Sequence, residues 1–335
     1  MSVSSKVAFP EKGNWAKLPT PIEKLDRLSK ELGIELFLKR DDQTGFEWSG
    51  NKIRKLDYLA KDALAKGATC LITCGGVQSN HCRATAALAA KLGLRCVLFL
   101  RGDAPAKALS NNLLDRLFGA EIFYLTNEQY YEGMGDLRQL MDAQIRGQGG
   151  KTYFIPEGGS NGLGALGYAD AFAEISSQAE PFDSILVAHG SGGTQAGLVL
   201  GKLLAEGKAA DTRIVGVNVC YDKKESFELV KKVLWAAIQE RNFPLSFASS
   251  DIEILDEFLG AGYAKSSKAE LDFLLKVARE EAVLLDPVYT GKAFYGMYKT
   301  IKADPHAFGE RVLFLHTGGG FGLFKLEEEW AQVLQ

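Results

Sequence analysis

Short apolar runs alternate with longer amphipathic ones along most of the chain. "CLITCGG" (Cys70–Gly76) is almost unbroken apolar sequence ending in glycine, which predicts a buried strand, and "QSNHCRATAALAAKLG" behind it has helical spacing. The pairing recurs. "RCVLFLRG" precedes a helix around Asn111–Gly119, "EIFYL" one through Tyr130–Gln144, "KTYFIPEGG" one near Leu163–Ser177, and "SILVAHGSGG" one from about Thr194. "RIVGVNVCYD" and "RVLFLHTGGG" add two strands. Apolar-throughout strands such as "CVLFL" and "SILVA" suit sheets covered on both faces, and strand–helix alternation suits parallel strands joined by helical crossovers. The pattern predicts an α/β protein of mostly parallel, twisted sheets flanked by helices.

In such sheets ligands bind beyond the carboxyl ends of the strands. Those ends read "GGVQSN", "PEGGSNGLG", "HGSGGT" and "HTGGG". Glycine alone would mark tight turns; the hydroxyl and amide residues among the glycines point to a binding site.

Composition narrows the classes. A chain of 335 residues suggests two domains at ~100–200 residues each. Lys+Arg 39 against Asp+Glu 42 gives a formal charge of -3, so no broad field gathers nucleic acid or an anionic membrane. The start lacks the apolar core of a signal peptide, and no apolar run reaches the ~20 residues that span a bilayer. Five cysteines, an odd number without a secretion signal, predict reduced thiols in the cytoplasm. Cys70 and Cys74 lack zinc-pair spacing and only four histidines are present, so no metal site is expected.

"SGNKIRKL" (49–56) sets Lys52 in the first turn of a helix, where the backbone dipole disfavours a cation. Ile53, Leu56, Leu59, Ala60, Ala63 and Leu64 share one face at helical spacing, with Lys52 on its flank. Arg54, Lys55, Asp57 and Lys61 fall elsewhere, so Lys52 is expected to point inward, unlike its basic neighbours. Burial and the helix terminus would both lower its pKa and leave a nucleophilic amine able to form a Schiff base. "HGSGGTQAG" (189–197) runs from a strand through Gly190, Ser191, Gly192, Gly193 and Thr194 into a helix, a cradle of backbone N–H groups for one phosphate. No Walker lysine follows. The dinucleotide fingerprint fails at Gln195, which counts against a nicotinamide-dependent dehydrogenase. A reactive lysine beside a one-phosphate cradle points to pyridoxal 5′-phosphate, an electron sink for substrate α-carbanions. In "GGVQSNHCRA" Ser79, Asn80 and His81 open a helix. Its N–H groups suit a carboxylate, Asn80 suits the cofactor's phenolic oxygen, and Ser79 puts a hydroxyl near the reaction centre. His81 is placed on the substrate side, with its side chain read as a bystander.

Together "LPTPIEKLDRLSKELGIELFLKRDD", "SGNKIRKLDYL", "GGVQSNHCRATAALAAKLGL", "GSGGTQAG" and "PVYTGKAFYGM" resemble the pyridoxal-phosphate enzymes of the 1-aminocyclopropane-1-carboxylate deaminase and D-cysteine desulfhydrase family, from about Leu18 to Gly322. The resemblance implies a two-domain fold of the tryptophan-synthase-β type (fold type II). Residues 53–161 would form a small domain inserted into a large one made of 1–52 and 162–335. It implies Lys52 as the Schiff-base lysine, Tyr263 and Tyr289 near cofactor and substrate beside Ser79 and Asn80, and a homodimer. Ring-opening deaminases of the family resemble one another in a Glu after the "PVY" tyrosine and a Leu in the late strand-end motif. This chain has Thr290 and Thr317, the desulfhydrase pattern, with Thr317 the first choice for the pyridine nitrogen and Thr290 the second. A neutral hydroxyl there makes a shallower sink than a carboxylate, enough for a good leaving group such as thiolate. The expected reaction is α,β-elimination of D-cysteine to hydrogen sulfide, pyruvate and ammonia. Deamination of aminocyclopropane carboxylate and sulfite elimination from cysteate are the alternatives on the same scaffold.

Overall fold

The computed structural model describes residues 8–258, 262, 265–325, 327–331 and 333–334. The chain opens with β1 (Ile22–Lys24), α1 (Asp26–Leu32) and β2 (Glu35–Lys39), then enters α2 (Lys52–Ala65). There follow β3 (Cys70–Gly76), α3 (Asn80–Leu92), β4 (Arg95–Arg101), α4 (Ser110–Leu117) and β5 (Glu121–Leu125). Next come α5 (Asn127–Tyr131), α6 (Met134–Gly147), β6 (Thr152–Ile155) and α7 (Gly162–Gln178). The rest is β7 (Ser184–His189), α8 (Gly193–Leu204), β8 (Arg213–Asn218), α9 (Lys223–Glu240), β9 (Glu253–Leu255), α10 (Lys268–Glu281), α11 (Thr290–Ala303), β10 (Arg311–Leu315) and α12 (Glu327–Ala331).

The strands form two sheets, a four-stranded one in the order β5-β4-β3-β6 and a six-stranded one in the order β1-β2-β10-β7-β8-β9. All pairings are parallel except β1 with β2. This is the helix-flanked, mostly parallel architecture that the hydrophobic pattern predicts. The helix expected through Tyr130–Gln144 is two helices, α5 and α6, separated at Glu132 and Gly133. Glycine is among the weakest residues at continuing a helix.

Each sheet is buried on both faces. On β10, Leu313 and Leu315 face a core shared with α2, α7 and α8, while Val312 and Phe314 face one shared with α1, α10 and α11. The first core also takes in Leu71 and Leu98 of the smaller sheet, and Ile72, Val97 and Phe99 pack on its other face against Met141 and Ile145. No helix among the described residues is long and apolar enough to cross a membrane, and no metal-holding cluster of His, Cys, Asp or Glu occurs among them.

Helix α2 is held from below. A Cβ on Gly167 of α7 would come within 2.3 Å of the Arg54 carbonyl oxygen, so the two helices touch backbone to backbone. Arg54 Nε and Nη2 donate to the two Asp41 carboxylate oxygens at 2.8 Å each, and Nη1 and Nη2 donate to Glu174 at 2.9 Å. Tyr168 OH donates to Asp41 at 2.6 Å, and Lys39 Nζ to Glu174 at 2.5 Å. Burial alone would push the Asp41 carboxyl up; the Arg54 charge, with hydrogen bonds from Arg54 and Tyr168, outweighs it and holds the carboxyl below its ordinary value. The expectation that Arg54 and Lys55 avoid the interior is therefore wrong: they are 2% and 1% exposed. The apolar stripe located one buried face of α2, but neighbours cover most of its first half, where Arg54 and Lys55 are buried against partners, while Leu64 of the stripe is exposed near its end.

Candidate active site

The two sheets present the carboxyl ends of β3, β4, β6, β7, β8 and β10 to one cavity of about 280 Å³. The N-termini of α2, α3 and α8 open onto it as well. It lies at the lower end of the usual ~300–1,000 Å³ of ligand pockets.

The peptide before Lys52 is clamped. Gly50 has φ +110, and a Cβ there would lie 2.5 Å from the Thr317 carbonyl oxygen. Asn51 N donates to that oxygen at 3.1 Å, and Asn51 Nδ2 donates to Thr194 Oγ1 at 2.8 Å. Arg83 of α3 donates to the carbonyl oxygens of Glu47 and Ser49 at 2.5 and 2.8 Å. The "SGN" of "SGNK" is thus a backbone lock tying α2, α3, α8 and β10 together. It delivers Lys52 half-buried into the cavity. Burial brings the Lys52 amine down to about 8, against the opposing pull of Glu157 and Cys220.

Between β7 and α8 the backbone turns through Gly192, φ +79. A Cβ on Gly193 would lie 2.4 Å from Ser160 Oγ and 2.9 Å from Lys55 Nζ. Lys55 Nζ donates to Gly158 O at 3.1 Å and Ser160 Oγ at 3.3 Å, and Ser160 and Ser191 hydroxyls are 2.7 Å apart. The cradle is therefore lined by backbone and small hydroxyls, opens at a helix N-terminus and has a buried amine beneath it. These features fit a phosphate. Burial, with Lys52 nearby, pushes the Lys55 amine well below its ordinary value, and an anion in the cradle would favour its charged form.

On the third wall Ser79 caps α3, its Oγ accepting from Cys82 N at 3.2 Å, and Asn80 Oδ1 accepts from Asn111 Nδ2 at 2.9 Å. A fourth wall carries Tyr289, Asp286, Thr317 and Gly318.

The comparisons with known proteins agree with this geometry. Residues 16–318 match the family described as "Pyridoxal-phosphate dependent enzyme". The chain belongs to this family. It is 44% identical over 309 residues to a Thermotoga maritima protein provisionally named 1-aminocyclopropane-1-carboxylate deaminase, covering 91% of this chain and 95% of that one. It is 40% identical over 332 residues to the mitochondrial "Bifunctional D-cysteine desulfhydrase/1-aminocyclopropane-1-carboxylate deaminase" of Arabidopsis thaliana, covering 95% and 80%. A crystal structure of an ACC deaminase homologue superposes with a TM-score of 0.88 at 36% identity, over 99% of this chain and 98% of that one. O-ureido-L-serine synthase, at 18% identity and a TM-score of 0.62 over 93% and 96%, shares the fold. Pyridoxal phosphate is the cofactor of this family member, which removes the nicotinamide reading.

In this pyridoxal-phosphate enzyme Lys52, Ser79, Asn80, His81, Gly190, Ser191, Gly192, Thr194, Tyr289 and Thr317 line one cavity. Gly193 lies just behind, as the first residue of α8. Tyr263 lies outside the described residues. Thr290 is placed differently from these residues. It is fully buried and is not part of the cavity lining. Its Oγ1 donates to Asp286 Oδ1 at 2.7 Å and accepts from Asp286 N at 2.9 Å, closing the turn into α11. Its one proton is thus committed to Asp286. Sequence reasoning passed over Lys55 and a wall formed by Arg101, Tyr131, Glu157, Cys220 and Tyr221. The Arg101 guanidinium lies over the Tyr130 and Tyr131 rings at 5.2 and 5.3 Å and donates to the Tyr131 hydroxyl. Burial and Glu157 push the Cys220 thiol up to about 12, against Lys52, so it remains a neutral thiol. Arg101 and Glu157 stand at strand carboxyl ends, where the rule that located the glycine loops also applies.

Proposed function

We propose that this pyridoxal-phosphate enzyme eliminates hydrogen sulfide from D-cysteine, with water completing the balance to pyruvate and ammonia. The observation that carries the reading is Lys52, half-buried with a lowered amine pKa, opening on the same cavity as Thr317. The backbone of Gly190–Thr194, with Lys55 beneath, would hold the cofactor phosphate, Asn80 its phenolic oxygen and Lys52 its aldehyde carbon. When bound, the cofactor draws electron density from the substrate α-carbon. Ser79 and the first N–H groups of α3 bind the α-carboxylate. The freed Lys52 amine takes the α-proton, and sulfide departs from the β-carbon. Tyr289 lines the fourth wall of the same cavity, where it would stand near the cofactor ring. Thr317 would be the neutral partner for the pyridine nitrogen, and the absence of Glu at position 290 and Leu at position 317 favours the thiolate leaving group over ring opening.

The Arabidopsis relative's name carries both activities, so 1-aminocyclopropane-1-carboxylate is the second reading. A substrate panel decides: pyruvate with sulfide from D-cysteine supports the proposal, 2-oxobutyrate from the cyclopropane supports the second reading, and sulfite from cysteate supports neither. The same family reading takes 53–161 as an inserted domain, supported by the confinement of the four-stranded sheet to that stretch, and the enzyme as a homodimer. A cytoplasmic location is supported by five unpaired cysteines.

A further inference from the structure

One polar side chain lies behind the cavity wall rather than in it. His316 follows β10, is 1% exposed and does not line the cavity. Its backbone N–H continues the strand ladder, donating to Lys39 O at 3.0 Å. Val312 and Phe314 face the core shared with α10 and α11, where Val283 and Leu285 also pack. Strand alternation carries the His316 ring to that side. There Nε2 lies 2.9 Å from Leu284 O. A carbonyl oxygen can only accept, so the proton sits on Nε2 and Nδ1 keeps a lone pair. That lone pair accepts from Gly318 N at 3.1 Å. Only the neutral Nε2–H tautomer matches both partners.

Gly318 N and Thr317 O are the two ends of one planar peptide. Thr317 O accepts from Asn51 N at 3.1 Å, and Asn51 directly precedes Lys52. The contacts run in series from Leu284 O through the His316 ring and the 317–318 peptide to Asn51. The peptide is tightly packed on the α2 side: Gly318 turns the chain at φ +87, and a Cβ there would lie 2.6 Å from Gly50 Cα. The glycines at 318–320 have no side chain to pair that N–H, and a buried backbone donor needs a partner. The far end of the series joins the wall that carries Tyr289. Leu284 stands two residues before Asp286, whose carboxylate accepts from Tyr289 N at 2.9 Å.

We infer that His316 is a positioning residue: its ring fixes the 317–318 peptide, and through that peptide it sets where Lys52 and Thr317 stand in the cavity. The inference rests on the reading of Lys52 as the residue that bonds the cofactor. His316 reaches the site only through the peptide, so its effect is read at the peptide's two ends.

The test compares wild type with His316→Asn, His316→Gln and His316→Leu. Asn puts an oxygen where Nδ1 stands and keeps the acceptor for Gly318 N. Gln keeps the reach to Leu284 O without that acceptor, and Leu keeps neither. Hydrogen exchange of the Gly318 and Asn51 amides is read residue by residue by NMR in cofactor-free protein. Both amides should exchange roughly tenfold faster in Gln and Leu and near the wild-type rate in Asn. Pyridoxal phosphate is then added and its covalent attachment trapped with borohydride over time. Attachment should be about tenfold slower in Gln and Leu and near wild type in Asn. A purely structural role would lower thermal stability and leave attachment to the folded protein unchanged. Gly318 exchange that is equal in all four proteins overturns the inference, as does an Asn variant that exchanges as fast as Leu. Faster Gly318 exchange in Gln and Leu with unmoved Asn51 exchange and attachment overturns it too. If Leu fails to fold, the Asn and Gln pair carries the same comparison. The exchange arm needs neither cofactor nor turnover, so it can fail while the Lys52 reading stands; a trapped adduct on another lysine defeats that reading instead.

Discussion

Three cations occupy four consecutive positions on α2, and the molecule treats them in two opposite ways. Below the helix, Arg54 reaches a finished network: its two carboxylate partners are themselves bonded to Tyr168 and Lys39. Above it, Lys52 opens on the cavity and Lys55 lies beneath the Gly190–Thr194 cradle, both with pKa values lowered by burial. Both regions are polar and enclosed. The lower one resolves its charges internally and holds the helix; the upper one leaves charge and hydrogen-bonding capacity open, as expected of a surface completed by a ligand. Burial of a lysine does not by itself separate scaffold from chemistry. The completeness of its partners does.

Substitutions along the helix test that division. Lys52→Ala is expected to lower turnover by about 10²–10⁴-fold, the usual range for a lost general base, while thermal unfolding stays near wild type. Asp41→Ala should do the reverse, removing about 3–5 kcal/mol of stability in denaturant titrations because it leaves the Arg54 charge buried without its main partner. Activity per folded molecule should change little. Lys55→Met should weaken cofactor binding by about 1.5–3 kcal/mol, measured as the dissociation constant for pyridoxal phosphate, without abolishing the covalent bond. Thr290→Val should destabilise the fold by about 1–3 kcal/mol through the orphaned Asp286 contacts, with substrate preference unaltered. Thr317→Leu should give the smallest effect, a shift of preference from D-cysteine toward the cyclopropane without loss of stability. A Thr290→Val variant that switches substrates, or a stability loss at Thr317, would put the boundary between the two regions in the wrong place.

Acid should separate the regions too. Folding lowers the Asp41 and Glu174 carboxyls below their ordinary values, so the folded protein binds fewer protons there than the unfolded chain. Their stabilisation is complete above the unfolded carboxyl values and drains away as the pH falls through the folded ones. In Asp41→Ala the slope of unfolding free energy against pH in that acid window should be flatter.

The strands that became β3–β8 and β10 were legible because each is a short apolar run closed by glycine or a polar turn, whereas β1, β2 and β9 were not picked out. The period-2 and period-3.6 signals needed no tertiary information, and the ligand loops followed from the strand ends. Lys52 was legible for a local reason, its place after "SGN". Lys55 and Arg54 were not, because their environments come from residues over a hundred positions away: Gly158, Ser160 and Glu174. The Thr290–Asp286 contact was hidden for a related reason. A hydroxyl before a helix and a hydroxyl facing substrate look the same until the Asp286 turn is seen.

The most direct test of the division is to reduce the pyridoxal-phosphate-loaded enzyme with borohydride and locate the pyridoxyl group by peptide mass spectrometry. The account predicts a single adduct on Lys52. An adduct on Lys55, or reduction that leaves no adduct at all, would contradict it.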